Sequence, residues 1–218
     1  MRGVGLIAGL LLAAWAAGSS RTVAQADDEP APLNARLTLN GNQVVASFDV
    51  TTAFTESFRR RVSNGLRSIT LVEVKLLDAD GELIGQGLRH CRFRYDVWEE
   101  VLAVQVREAT RRFERREQVI DRGLRECGQI QSMELADAQV LEASGGYLIE
   151  VSVLLNPVDQ ETLQSAREFL SNPRGSREGR PLSFFGSLAR LFSAKPEAGG
   201  ERFVFRSRPQ ARPRRGAN

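Results

Sequence analysis

The chain has 218 residues, 42% hydrophobic and 26% charged, which suffices for one globular domain with a sizeable core. A single histidine and two cysteines argue against a multi-histidine metal site, a histidine-based catalytic triad or a CxxC motif, and no cofactor is implied. The net charge of +3 is set by the two ends: Arg2 and Arg21 lie at the start, and Arg202, Arg206, Arg208, Arg212, Arg214 and Arg215 in the last stretch, leaving the body from Asp27 to Glu201 mildly acidic. A net acidic body does not suggest nucleic acid as a partner.

Met1 and Arg2 are followed by an uncharged stretch to Ser20 and by Ala24-Gln25-Ala26. A positive start, an apolar run and a small-residue A-x-A site are the parts of a secretory signal peptide, expected over residues 1–26. The run is short for a spanning helix, although an uncleaved N-terminal anchor is the alternative. The expected location is therefore the periplasm or cell envelope. In an oxidising compartment Cys91 and Cys127 are expected to pair. Closing a loop of about 36 residues is worth roughly 3–4 kcal/mol on the chain-entropy model, and two buried free thiols are the other reading.

Residues 27–34 are acidic and proline-bearing and read as a flexible leader to a single strand-rich domain over 35–206. Leu37 and Leu39, the turn Asn40-Gly41-Asn42, and alternating Val44, Ala46, Phe48 and Val50 predict a hairpin. The period then changes: Phe54, Phe58, Val62 and Leu66 recur every four residues, predicting a helix begun near Thr55 and ended near Asn64-Gly65. Thr70, Val72, Val74 and Leu76 predict a strand that turns at Asp78-Ala79-Asp80-Gly81. The return strand carries Leu83, Cys91, Phe93, Tyr95 and Val97 on a dry face. Ile84, Gln86, Leu88, His90, Arg92 and Arg94 take the wet one, and Gly85 and Gly87 suggest a bulge or bend.

Leu102, Val104 and Val106 predict a further strand, with Arg111-Arg112-Phe113 extending the ladder. Val119, Ile120, Leu124 and Cys127 share one helical face, so a Cys91–Cys127 bond would staple a helix to a sheet. A short strand at Met133 and Leu135 precedes Tyr147 to Leu155, the strongest alternation in the chain and a predicted central strand. Asn156-Pro157 ends it, and Asp159 caps a helix holding Leu163, Ala166 and Leu170. Residues 171–181 read as a loop, Phe203 and Phe205 as a last edge strand, and 207–218 as a disordered basic tail that can also rest on anionic lipid. The fold class expected is α+β or β-sandwich-like, mostly antiparallel, with two to three amphipathic helices.

This order, with Tyr95-Asp96-Val97-Trp98-Glu99-Glu100 leading to Ala103-Val104 and with Tyr147 to Asn156 as closing strand and turn, resembles a domain-of-unknown-function family of short exported proteobacterial proteins. The resemblance covers roughly residues 37–170. It implies a signal peptide and a strand–strand–helix–hairpin order, brings no catalytic residue, and makes a role beside membrane sensor kinases conceivable.

The chemical candidates are few. His90 reads as an exposed strand residue. Asp96, Glu99 and Glu100 are clustered carboxylates beside a turn, suited to acid/base work only if they converge. Asp78, Asp80 and Glu82 fall short of a calcium loop. Trp98 either closes the core beneath a turn or stands out as a recognition anchor. Phe184, Phe185, Leu188, Leu191 and Phe192 gather on one helical side near cations. They either seal the sheet or lie on a membrane. The function expected is a non-enzymatic envelope module binding a protein partner or a membrane surface, with oligomeric state open. The alternative is a carboxylate-dependent hydrolase using Asp96 and Glu99.

Overall fold

A computed structural model describes residues 29–141, 146–157, 170–171 and 200–213. The expected signal peptide, the helix from Asp159 up to residue 169, most of the 171–181 loop, and Phe184, Phe185, Leu188, Leu191 and Phe192 lie outside the described residues.

Strands β1 (Ala31–Leu33), β2 (Ala35–Asn40) and β3 (Gln43–Asp49) lead through a 3-10 turn into helix α1 (Glu56–Ser63). Then follow β4 (Ser68–Leu77), β5 (Leu83–Asp96), β6 (Val101–Arg107), β7 (Arg112–Glu117), α2 (Ile120–Gly128), β8 (Gln129–Asp137), β9 (Leu148–Leu155) and β10 (Glu201–Ser207). A seven-stranded sheet runs β1-β10-β9-β4-β5-β6-β7, antiparallel except for β1 beside β10, and a three-stranded antiparallel sheet runs β2-β3-β8. This is an α+β, sandwich-like fold.

Alternation along the strands builds the core. Val72, Val74 and Leu76 of β4, Cys91 and Phe93 of β5, Val104 of β6, and Ile149, Val151 and Val153 of β9 point to one side. There they meet Val44, Ala46 and Phe48 of the small sheet and the inner faces of both helices. Helix α1 starts where Thr55 Oγ accepts from the Phe58 N–H, at 3.3 Å. It drives Phe58 against Phe54 and Phe93, with ring centroids 5.5 and 5.7 Å away. The Cys91–Cys127 disulfide joins β5 to α2, with Cα atoms 6.1 Å apart and both residues fully buried.

Several expectations need correction. α1 stops at Ser63, so Leu66 falls off the buried stripe and is 49% exposed. Val97 belongs to the turn after β5 and is exposed, whereas Leu88, expected on the wet face, is buried against Leu71, Leu154 and Leu170. Gly85 and Gly87 are there chiefly because β8 passes so close. A Cβ on Gly85 would sit 2.9 Å from the Leu135 carbonyl oxygen, and one on Gly87 would be 2.6 Å from Met133 Sδ. A register shift does occur nearby, between Leu76 and Leu77. β10 is not an edge, because β1, drawn from the supposed leader, pairs along it. The expected disordered tail is engaged at Gln210, which exchanges backbone hydrogen bonds with Tyr147, at 2.8 and 2.7 Å. The Gln210 side-chain amide also accepts from Leu37 N–H and donates to the Ala35 carbonyl of β2.

Candidate functional site

The inner face of β5–β6–β7 is closed by α2 and the core. On its outer face Leu170 and Ser171 lie beside Leu88 and Arg107 at one end, Arg92, Arg94, Arg112 and Arg116 are exposed, and strand register decides what stands where. β5 turns His90, Arg92 and Arg94 outward, opposite Cys91 and Phe93. β6 turns out Ala103, Gln105 and Arg107, and β7 turns out Arg112, Glu114 and Arg116. Cross-strand pairing sets these in three rows: His90–Arg107–Arg112, Arg92–Gln105–Glu114 and Arg94–Ala103–Arg116. Asp96, in phase with Arg94, stands at the end of this face, and five guanidiniums share the three rows with one carboxylate. That carboxylate, Glu114, accepts from Gln105 Nε2 at 2.9 Å. Arg107 is turned toward the Leu170 carbonyl and the Ser171 hydroxyl, 3.4 and 3.3 Å away. Arg92, Arg94, Arg112 and Arg116 are exposed and form no ion pair among the described residues. By contrast, Arg111 and Arg115 lie over the Phe113 ring, and Arg115 also reaches Glu126 at 3.8 Å.

The β5–β6 turn lies at the end of this face. Asp96 Oδ1 accepts from the Trp98 and Glu99 N–H groups, at 3.0 and 3.1 Å. These two donors hold the Asp96 carboxyl below the ordinary carboxylate range. The turn closes through Glu100 at φ +52°. Trp98, the largest side chain in it, is 93% exposed, so it does not close the core beneath the turn. Val97 beside it lies 3.3 Å from the position a Cβ on Gly65 would take, next to exposed Leu66.

The carboxylates do not converge. Asp96 is engaged by the turn, and Glu99 and Glu100 stand in water. Asp78 serves its hairpin, accepting from the Asp80 and Glu82 N–H groups at 3.0 and 2.8 Å. Among the described residues no cluster of three or more His, Cys, Asp or Glu side chains is arranged to hold a metal. His90 is half-buried and engaged, in line with Leu71 and Arg107.

Two buried charged sites escaped the sequence reading. Arg89, 3% exposed, meets Glu108, 7% exposed, its Nε donating to Glu108 Oε1 at 2.7 Å and Nη2 to the same oxygen. Its Nη1 donates to the carbonyls of Glu126 and Cys127, at 3.2 and 3.1 Å, satisfying acceptors at the end of α2. Arg89 is in phase with Cys91 and Phe93, so strict alternation already pointed it inward. On the opposite face, Glu73 is 1% exposed and accepts from Gln86 Nε2 at 2.7 Å. Burial pushes its carboxyl up to about 7, against the pull of Lys75 and Arg202 and with a push from Glu150. The arginine rows were half legible: alternation turned Arg92 and Arg94 outward, but nothing local told which residues of β6 and β7 would stand beside them.

Among the described residues no helix is long and apolar enough to cross a membrane. No family model, curated protein or solved structure matches this chain.

Proposed function

We propose that this protein is an exported, non-catalytic binding module of the cell envelope and that it docks through the outer face of β5–β6–β7. One observation carries the reading: five guanidiniums stand on a single sheet face against two carboxylates, Glu114 and Asp96, although the body as a whole is net acidic. Exposed like charges repel one another and are retained at low energetic return unless something of opposite charge is to be met. Export is supported by the N-terminal sequence pattern and by the buried disulfide, which belongs to oxidising compartments. The resemblance to short exported proteobacterial proteins is in keeping with this.

Cells producing the full chain should hold it in the envelope fraction, trimmed after Ala26, with Cys91 and Cys127 oxidised. The purified protein should bind isolated envelope fragments. Replacing Arg92, Arg94, Arg112 and Arg116 together with serine should weaken that binding at least tenfold and leave the circular dichroism spectrum unchanged. A folded quadruple variant that binds as well as its parent would remove this face from the mechanism.

A further inference from the structure

We infer that the partner of this face is an anionic phospholipid surface, whose headgroup phosphates the arginine rows engage while Trp98 enters the interfacial zone. The inference rests on reading the β5–β6–β7 face as a docking surface, and it names the chemistry of what docks there.

Spacing accommodates an extended array of phosphates. Side chains two residues apart on a strand sit about 7 Å apart, and strands β5 and β7 are separated by two spacings, about 10 Å. Arg94 and Arg116 are therefore rooted about 10 Å apart, and Arg112 and Arg116, four residues apart, about 13 Å. Such a lattice is wide enough for separate phosphates to be met along it. Each guanidinium offers a planar fork that can take two phosphate oxygens, so each can meet its own headgroup.

Trp98 argues for a lipid surface over other polyanions. An amphipathic ring, 93% exposed and held on a hydrogen-bonded turn, suits the boundary between headgroups and acyl chains. Val97 adds apolar surface beside it. The buried disulfide speaks against nucleic acid, which is confined to reducing compartments where such bonds rarely persist. Asp96, Glu99, Glu100 and Glu114 oppose an anionic surface and limit the affinity. Glu114 lies within the rows themselves.

The test uses protein purified from cells producing the full chain, and vesicles of phosphatidylcholine with and without one-third phosphatidylglycerol. Cosedimentation with the anionic vesicles only, weakening as salt rises, is the expected result. An arginine near such a surface contributes about fivefold in partition, so the Arg92, Arg94, Arg112 and Arg116 to serine variant should lose more than a hundredfold. Glu114→Gln should bind about two- to fivefold more tightly, a gain that misfolding cannot produce. Tryptophan emission should shift to the blue on anionic vesicles and lose that shift in Trp98→Phe. Free glycerol phosphate should compete poorly.

Protein that ignores anionic vesicles but still binds envelope fragments through the four arginines would overturn the lipid assignment and leave the docking face standing, with an acidic protein as partner. Binding to neither would overturn both. Equal binding to neutral and anionic vesicles would also overturn the inference.

Discussion

Arg89 and Glu108 hold their charges almost wholly out of water, and each is tolerable only because the other is there. Burial lowers the hold of Arg89 on its proton and Glu108 offsets only part of this, yet a guanidinium stays charged in a protein. Replacing Arg89 with Met strands a buried carboxylate and leaves two helix carbonyls without their donor. Urea unfolding should show a loss of about 3–5 kcal/mol, and adding Glu108→Leu should recover only part of it, since the carbonyls of Glu126 and Cys127 remain unserved. Glu73 acts in the opposite sense, since its burial is paid for in pH dependence. Its folded value of about 7 lies above the ordinary 4.5, so between these the folded state keeps a proton that the unfolded state has released. Stability should therefore fall as pH rises through this window and level off above 7, lower by about 3 kcal/mol. Urea midpoints near pH 5 and near pH 8 should differ accordingly in the parent, and the difference should largely vanish in Glu73→Gln.

At the scale of elements, α2 is held by the disulfide, by Arg89 at its last carbonyls and by the close approach of Gly123 to Leu102 of β6. Replacing both cysteines with alanine should cost about 2–5 kcal/mol in urea. Arg89 still ties the helix end, so hydrogen exchange should speed up along α2 while β4 and β9 remain protected. Element identity was readable in the chain because core and periodicity coincide here: Phe54, Phe58 and Val62 mark α1, and Tyr147 to Leu155 marks an interior strand. The extents were less readable. Leu66 continued a spacing of four that the Asn64-Gly65 helix end cuts off, and β8 runs well beyond Met133 and Leu135 because its pairing with β3 extends through polar positions. Of the candidate site, the exposure of Trp98 depended on whether anything packs over a turn, which no local pattern reports.

At the scale of the molecule, the two sheets are joined through a residue near the C-terminus. The backbone of Gln210 pairs with Tyr147, and its side-chain amide bonds the outward Ala35 carbonyl and Leu37 N–H of β2, occupying an edge that would otherwise be open. Gln210→Ala leaves those two groups to water or to another chain. It should cost about 1–2 kcal/mol in thermal unfolding and raise the tendency to associate in light scattering. The local sequence around Gln210, rich in proline and arginine, reads as unstructured because its partners lie more than 170 residues away. Strand order was hidden for the same reason, since β9 lies between two strands, β4 and β10, that local pattern does not join to it.

The parallel pairing of β1 with β10 has a consequence for how the chain is made. The first strand to leave the ribosome has to wait for the last before it finds its neighbour, and until then β9 lacks its partner on one side. A nascent chain stopped short of residue 200 therefore carries two sticky strand margins, and it should be a better client for holding chaperones than the finished protein. Delivery of the chain through β10, and not the arrival of any one hydrophobic segment, is what seals the sheet.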